Sequence, residues 1–402
     1  MDNITNAITN LIKNKDGFKI TFEGVDILII AIFVLGMITF AIWQFMITKK
    51  KEMVKQRKGM LYQIKPGLEV LYRKGEKKIR MERLLEHFTG SVGNFLQTLQ
   101  IVEPTFSFEI HANGIGGYGT YIWVPESAAQ YLPATMRSLY EQPLIVKEED
   151  EPMGVLHEKI SDDKGYAKVK GFFTAEYQLA GSSSMSIKEW FPDKGEPDDP
   201  MEQIFGIFDG LRGNNIAGLM VTIKHTNTKW KENIMSEIQN MQYDMPGKPG
   251  FFDFLKPGPT PQEQQQSVKR KQLDTFQKNQ LNTMIEKAKK DGFAAVVRIY
   301  SSDESTFQLL CNAVEKRFKG DYNQLVKSSD NVSLEEMKLR WFEKSNMVLS
   351  LGEIASIFHF ADSETKAERL QRGGSSTAAP DENLAILKEE EDYDPFQEIN
   401  KI

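Results

Sequence analysis

The longest apolar run in the chain, ILIIAIFVLGMITFAIWQFMI at residues 27–47, holds 21 residues and no charged side chain. At about 1.5 Å of rise per residue, such a run covers the ~30 Å hydrocarbon core of a bilayer. The pattern predicts one N-terminal transmembrane helix over residues 25–47, after a short extracytoplasmic N-terminus at 1–24. Trp43 lies near the C-terminal boundary, where interfacial aromatic residues are common.

The segment after this run, TKKKEMVKQRK, is strongly basic and contains a single acidic residue, Glu52. Its positive residues are Lys49, Lys50, Lys51, Lys55, Arg57 and Lys58. Basic flanks stay on the cytoplasmic side of a membrane, so the C-terminal bulk of the chain is predicted to lie in the cytoplasm. The alternative is that this run recognises anionic lipid or nucleic acid.

Beyond the basic flank, the pattern predicts an α+β protein. Residues 48–100 are predicted to form a basic juxtamembrane and helical linker, because apolar residues recur at helical spacing from residue 78 to residue 100. Residues 101–160 form the first predicted α+β unit. It begins with a hairpin in which Phe106, Phe108 and Ile110 share one face and Tyr121 and Trp123 share another. A helix at 125–141 and a returning strand complete half of a ferredoxin-like α/β sandwich.

A similar order of strands and helices recurs in the second predicted α+β unit, residues 161–367. A Pro-rich loop interrupts this unit at 245–266, and helix, strand and helix patterns then resume from residue 271 to residue 318. Residues 368–402 are low-complexity and acidic, which predicts a disordered tail.

Two groups of apolar residues are candidate interaction sites. The Pro-rich loop carries large side chains that must be buried against a partner or against the protein's own core: Phe251, Phe252, Phe254 and Leu255. In the acidic tail, Tyr393 lies within the run of carboxylates at 389–394 and Phe396 follows it, which is typical of a short docking peptide. The alternative for the tail is a merely solvated segment.

Composition and charge exclude some classes of function. The net charge of −6 argues against a general nucleic-acid-coating protein, since phosphate binding requires a basic surface. The only cysteine, Cys311, excludes a disulfide within the chain and is predicted to pack on a partly buried helix face.

Gly114, Gly116 and Gly119 have the G-x-G-x-x-G spacing of a dinucleotide-binding loop. A strand follows them rather than a helix, so we interpret them as positive-φ residues of a hairpin turn. No G-x-x-x-x-G-K-[ST] sequence occurs, which argues against P-loop ATP hydrolysis.

Neither the histidines nor the acidic pairs indicate a catalytic or metal site. The five histidines form no H-x-x-x-H or Cys/His cluster, so ordinary structural roles are expected, although a site assembled only in three dimensions stays open. Asp198 and Asp199 precede a predicted helix, and a helix-capping role is favoured over a metal or acid/base role. We therefore expect no cofactor and no enzymatic activity.

Several segments, taken in order, resemble the N-terminal, non-ATPase region of type IV secretion and conjugative DNA-transfer ATPases of the HerA/FtsK-like class. The similar segments are the hairpin and helix at 106–142, DDPMEQIFGIFDGLRGNNIAGLMVTIKHT and its continuation at 198–234, KPGFFDFLKPGP at 248–259, IEKAKKDGFAAVVRIY at 285–300, and LSLGEIASIFHFADSETKAERLQR at 349–372. In that class the last segment leads into a motor domain, whereas here an acidic tail follows it.

The resemblance implies a non-enzymatic, single-pass component of the bacterial inner membrane that docks or scaffolds a separately encoded transfer ATPase and other channel subunits, with self-association as a further expectation. The alternative is a membrane-tethered module that binds nucleic acid or a substrate protein. An enzyme with a site built from dispersed residues is a third hypothesis. Salt dependence separates the first two, because nucleic-acid capture weakens steeply as salt rises.

Overall fold

The chain divides into two compact units, Met1–Arg57 and Lys58–Ile402. A computed structural model describes residues 22–55, 58–67, 76–89, 104–141, 143–148, 172–191, 198–226, 229–243, 271–329, 332, 337–342, 345–362 and 365–373.

In the first unit, the described residues form one helix, α1, over Phe22–Lys55. It includes the apolar run at residues 27–47, and its described side chains in that run are exposed. Among the residues that the structure describes, no helix meets the length and apolarity required to cross a membrane.

The second unit combines nine strands with helices in the described part of the chain. The strands are β1 Gly59–Lys65, β2 Thr105–Asn113, β3 Gly117–Pro125, β4 Leu144–Glu148, β5 Phe173–Leu179, β6 Ile216–His225, β7 Gly292–Ser301, β8 Leu325–Ser329 and β9 Val348–Ser350. The helices are α2 Glu76–Thr89, α3 Glu126–Ala129, α4 Leu132–Leu139, α5 Pro200–Gly210, α6 Lys229–Gln242, α7 Thr275–Lys289, α8 Glu304–Arg317 and α9 Leu351–Ile357.

All strands belong to one antiparallel sheet with the order β4-β1-β3-β2-β6-β7-β5-β8, and β9 pairs with β7. The strands of the two predicted α+β units therefore lie in one continuous sheet. They meet where β2 pairs with β6, from Thr105 opposite Lys224 to Asn113 opposite Ile216. The predicted mixed α/β class is confirmed in this form.

Three local predictions differ from the structure. Residues 59–65 were expected to be part of a helical linker, but they form β1, which inserts between β3 and β4 and buries Leu61 and Ile64. The helix predicted at 125–141 is two short helices, α3 and α4, separated at Gln130 and Tyr131. The helix predicted at 78–100 begins two residues earlier, at Glu76, and is confirmed as far as Thr89, the last described residue of α2.

The main hydrophobic core lies between the sheet and the helices. Alternation along β2 places Phe106, Phe108 and Ile110 in this core, as predicted, and the next residues on the opposite face. The Phe88 ring of α2 stacks on Phe106 with 4.2 Å between centroids. Tyr121 and Trp123 share the opposite face with Leu61, also as predicted.

Four helices of this unit, α5, α7, α8 and α9, begin at an Asp or Ser cap. Asp199 caps α5 by accepting a hydrogen bond from the Met201 amide at 2.8 Å, which confirms the predicted capping role. Ser350 caps α9 in a reciprocal capping box with Glu353. Cys311 is buried in α8, as expected.

Candidate functional site

Most of the predicted interaction residues lie outside the described part of the chain: Phe251, Phe252, Phe254, Leu255, Tyr393 and Phe396. Of the basic flank, Lys49 and Lys58 are exposed. Lys50, Lys51 and Lys55 belong to α1, without described side chains, and Arg57 is outside the described residues. The described residues therefore do not test these predicted sites, and the described part of the chain carries other groups of polar and apolar side chains.

A buried polar cluster occupies the face of the sheet opposite the helices. Glu109, on the central strand β2, is fully buried and accepts hydrogen bonds from Arg340 Nε at 2.9 Å and Nη2 at 3.2 Å. Its Oε2 lies 2.7 Å from His111 Nε2, and His111 Nδ1 lies 2.6 Å from the Tyr300 hydroxyl. The cluster ties the first half of the sheet to β7 and to the segment that holds Arg340.

Arg340 belongs to the short segment 337–342, which covers this polar face. Its backbone adopts a positive φ of 45°, a conformation that non-glycine residues rarely take. In the same segment, the carbonyl of Trp341 accepts from Arg298 Nη1 at 3.1 Å and that of Phe342 accepts from Lys224. Arg298 and Lys224, two cationic residues of the sheet, are thus hydrogen-bonded by backbone carbonyls of this segment.

A second buried cluster lies at the N-terminus of α5. Asp199 Oδ2 is 2.5 Å from Lys77 Nζ and 3.0 Å from His359 Nε2. The His359 ring stacks on Trp190, with 5.3 Å between centroids. The cluster joins α2, α5 and the segment after α9.

The carboxyl pKa values of both clusters are held well below their ordinary range. Burial alone would raise the pKa of Glu109, but the Arg340 guanidinium and His111 outweigh burial and lower it. Burial would likewise raise the pKa of Asp199, and His359 and Lys77 reverse that effect. Both carboxyl groups are therefore ionised in the folded chain over the physiological range.

Acid is expected to destabilise the Lys58–Ile402 unit as Glu109 and Asp199 are protonated. Because both pKa values are lower in the folded chain than in the unfolded chain, their contribution is complete above the unfolded values near about 4 and is lost as the pH falls below them. Urea midpoints should fall between about pH 5 and about pH 2, and Asp199→Asn should make that fall shallower. An equally steep fall in the variant would contradict this assignment.

Neither cluster has the features of an open reaction site. Glu109, His111, Asp199 and His359 are all buried, and each makes hydrogen bonds to protein groups. Within the described ranges, no three His, Cys, Asp or Glu side chains are grouped so as to hold a metal ion. The geometry of the clusters favours a role in positioning elements of the fold.

No protein-family model matches this chain, and no curated protein matches it either.

The described chain enters and leaves the sheet at opposite ends. It enters at Gly59, which lies opposite Pro125 at the end of β3, and its last described residue, Gly373, bridges to Gly67 just beyond the end of β1. At about 3.3 Å per strand residue, the two ends of the sheet are about 25 Å apart.

The segment 365–373, which we call the C-terminal strap, is fixed to the exit end of the sheet. Arg369 is central to it: its amide donates to Asp209 at 2.8 Å, and its guanidinium donates to the carbonyls of Leu211 and Gly114, the latter at 2.6 Å. The strap also pairs with β3, where the Gln371 amide donates to the Tyr118 carbonyl at 2.8 Å. It thereby connects α5, the β2–β3 turn and the end of β1.

Next to the strap, a groove of about 600 Å³ separates α5 from α8. One wall is a single face of α5 that contains Gly206, Ile207 and Gly210, and the other includes Leu309 of α8, which is 55% exposed. No atom lies within 4 Å of a Cβ built on either glycine, so the α5 backbone is accessible along the groove. The adjacent hairpin tip carries Ile115, which is 73% exposed.

The glycine-rich turn at the hairpin tip is a hairpin turn, as the sequence predicts. The residue with positive φ, however, is Gly117 at 85°, rather than Gly114, Gly116 or Gly119. Gly114 is required for another reason, because a Cβ there would lie 2.4 Å from the Arg212 backbone. The spacing therefore reflects close backbone packing, with no helix following it that could bind a pyrophosphate.

Gly117→Ala is expected to destabilise the unit by about 1–3 kcal/mol, since the position needs positive φ. In addition, its Cβ would lie 2.3 Å from the Arg369 carbonyl and would displace the strap. Urea denaturation measures the loss, and faster trypsin cleavage after Arg369 or Arg372 reports release of the strap. Gly116→Ala is the matched control, because a Cβ there meets nothing within 4 Å. Equal behaviour of the two variants would contradict the prediction.

Sequence reasoning missed the buried clusters and the groove. The alternation of β2 placed Ser107, Glu109 and His111 on one face, which was a usable signal that this face is polar. Arg340 lies over this polar face because it contacts Glu109, which is 231 positions earlier in the chain. No local pattern reports such a pairing.

Proposed function

We propose that the chain is a non-enzymatic, membrane-anchored component of a bacterial type IV secretion or conjugative DNA-transfer machine, and that it docks a separately encoded transfer ATPase. The observation that supports the proposal is that Gly59, which begins β1, and Gly373, which ends the strap, lie at opposite ends of the sheet. In the class that the sequence resembles, the motor domain follows the segment equivalent to the strap. A separate ATPase would then sit at the strap end, away from the side at which the chain enters the sheet.

The apolar surface at the strap end supports docking of a protein there. Ile115 and Leu309 are large exposed apolar residues, and Arg369 and Asn215 link the hairpin tip to the groove between α5 and α8. Central apolar anchors beside accessible backbone are typical of protein interfaces. Self-association through the same surface would compete with the ATPase.

We infer that each half of the sheet is a ferredoxin-like unit. The order β-α-β-β-α-β runs from β1 to β4 and again from β5 to β8, and the strand orders β4-β1-β3-β2 and β8-β5-β7-β6 correspond. In the half formed by β5–β8, α6 and α7 connect the second and third strands, where the half formed by β1–β4 has a three-residue turn. The Pro-rich loop with Phe251 therefore lies within this insertion.

Membrane anchorage by α1 is part of the proposal and rests on the uncharged run at 27–47 with its basic flank. The full-length protein is expected to stay in the membrane pellet after alkaline extraction. Replacing both Leu35 and Ile38 by lysine, at about 2.5–3.5 kcal/mol each, should release it. Ile115→Lys is the control and should stay in the pellet. Release of the unaltered protein would contradict anchorage.

The test of the docking function is co-purification of the tagged full-length protein from its own host membranes, with partners identified by mass spectrometry. We expect a P-loop ATPase and other channel subunits. Combining Ile115→Lys with Leu309→Lys should lower ATPase recovery about tenfold or more, as for loss of interface anchors. Phe276→Lys is the matched control, since Phe276 is 61% exposed but lies on α7, outside the groove.

Two outcomes would contradict docking of an ATPase at the strap end. Equal recovery from the groove variant and the Phe276→Lys control would show that the strap end is not the interface. Recovery of nucleic acid in place of an ATPase, with binding that weakens steeply as salt rises, would favour the tethered nucleic-acid-binding alternative.

A further inference from the structure

A cleft of about 490 Å³ beside α2 and α4 is lined by three arginines. Arg80 and Arg83 come from α2 and Arg137 from α4, and residues 138–141 complete the lining. We call this the arginine cleft. Arginine forms paired hydrogen bonds to carboxylate and phosphate groups, so the cleft suits an anionic ligand.

Two of the three guanidinium groups are uncommitted. Arg80 is engaged by Glu76 at 2.7 Å and by the Leu139 carbonyl. Arg83 and Arg137 are exposed, and no acidic side chain among the described residues forms an ion pair with either. Glu141 is the acidic residue of the lining and lies 3.7 Å from Arg80. The cleft therefore keeps a net positive charge.

The chain leaves the described structure beside this cleft. A Cβ built on Gly373 would lie 3.3 Å from the Leu144 Cβ. Leu144 follows Glu141 by three residues, so the Cα atoms of these two residues are at most about 11 Å apart. Leu144 is itself 48% exposed, which leaves an apolar surface next to the arginines. Gly373 therefore lies within about 17 Å of Glu141 in the lining of the cleft, measured between Cα atoms.

The segment that follows has the complementary chemistry. Residues 388–394, KEEEDYD, carry five carboxylates and one lysine, and Phe396 comes two residues later. Fifteen residues separate Gly373 from Glu389, which can span about 50 Å when extended. The acidic run therefore reaches the cleft easily, and tethering raises its effective concentration to the millimolar range.

We propose that residues 389–394 dock into the arginine cleft of their own chain, with carboxylates on Arg83 and Arg137 and with Tyr393 or Phe396 covering Leu144. The contact is a salt-sensitive intramolecular latch, since it consists of exposed charges. It does not depend on the proposed function, because it concerns a different surface from the groove.

Zero-length cross-linking of the full-length, detergent-solubilised protein tests the latch. The variant Arg83→Lys/Arg137→Lys keeps both positive charges and places an amine at each position. Carbodiimide activates the carboxylates of the tail, and an activated carboxylate next to one of these amines forms an amide bond with it. Mass spectrometry then compares links from residues 389–394 to positions 83 and 137 with links to Lys278 and Lys319, which are exposed elsewhere on the same molecule. We expect cleft links in about tenfold excess at low salt, and loss of that excess near 1 M salt.

Replacing Glu389, Glu390 and Glu391 by glutamine should also reduce the cleft links formed by Asp392 and Asp394, which stay reactive towards carbodiimide. Mixing isotopically heavy and light protein separates links within a chain from links between chains. An even distribution of links over all exposed lysines would overturn the proposal, as would links that join only heavy to light chains, since the latter would place the tail of a second copy in the cleft. Displacement of the tail from the cleft by inorganic phosphate at low ionic strength would support the expected anion chemistry.

Discussion

Replacing Arg340 by methionine is expected to destabilise the Lys58–Ile402 unit by about 3–5 kcal/mol, because it leaves the Glu109 carboxylate buried without its cationic partner. Glu109 is fully buried at the centre of the sheet, and both of its contacts with Arg340 are within hydrogen-bond distance. Urea denaturation of the full-length protein, followed by circular dichroism, measures the loss of free energy of unfolding.

The double variant Glu109→Gln/Arg340→Met separates the contribution of the ion pair to the free energy of unfolding from the contribution of side-chain packing. Removing both charges should recover part of the loss, since no uncompensated charge remains buried. Arg83→Met is the control, because an exposed arginine on the surface should change stability by less than about 0.5 kcal/mol. If Arg340→Met behaved like Arg83→Met, the Glu109 cluster would contribute no stability and the prediction would be wrong.

The Arg340 pair also has a specific structural role. It fixes the segment 337–342 on the polar face, where Trp341 and Phe342 lie over Lys224 at 4.8 and 4.4 Å from the ammonium group to the ring centroids. A backbone with φ of 45° at Arg340 is unfavourable for a side chain with a Cβ, so the surrounding contacts must hold it. We attribute this to the guanidinium bonds to Glu109.

Local sequence signals were sufficient to predict the elements that have a long hydrophobic pattern or a helix-capping residue. The alternation of β2 and β3 predicted correctly that Phe106, Phe108 and Ile110 share one face and that Tyr121 and Trp123 share another, because side chains of a strand alternate between the two faces of a sheet. The helix, strand and helix predicted between residues 271 and 318 are α7, β7 and α8, and Asp199 caps α5 as expected. These features depend on neighbours within one turn or one strand.

Features fixed by distant residues could not be predicted. β1 is a seven-residue strand without strict alternation, and it is a strand because β3 and β4 pair with it on both sides. The joining of the two halves depends on β2 meeting β6, more than 100 residues later. The candidate groove likewise combines α5 with α8, and the strap reaches it from the far end of the chain. Tertiary contacts of this kind leave no local pattern.

Phe108→Ala is the second large effect, with an expected loss of about 3–5 kcal/mol from the cavity in the core. Phe108 is fully buried, and its ring lies 5.6 Å from Phe358 and 6.3 Å from Phe88, measured between centroids. It therefore contacts α2 and the segment after α9 from a central strand. Phe276→Ala, at an exposed position, should cost far less.

The same variant tests whether the two halves of the sheet unfold together. Because β2 and β6 pair along their whole length, a cavity in the first half should destabilise the second half equally. Hydrogen exchange of β7 amides, which lie in the second half, should accelerate about 100-fold or more, in line with the loss of global stability. Faster exchange confined to β1–β4, with β7 unchanged, would instead show that each half is an independent folding unit, and the strap would then connect two units of separate stability.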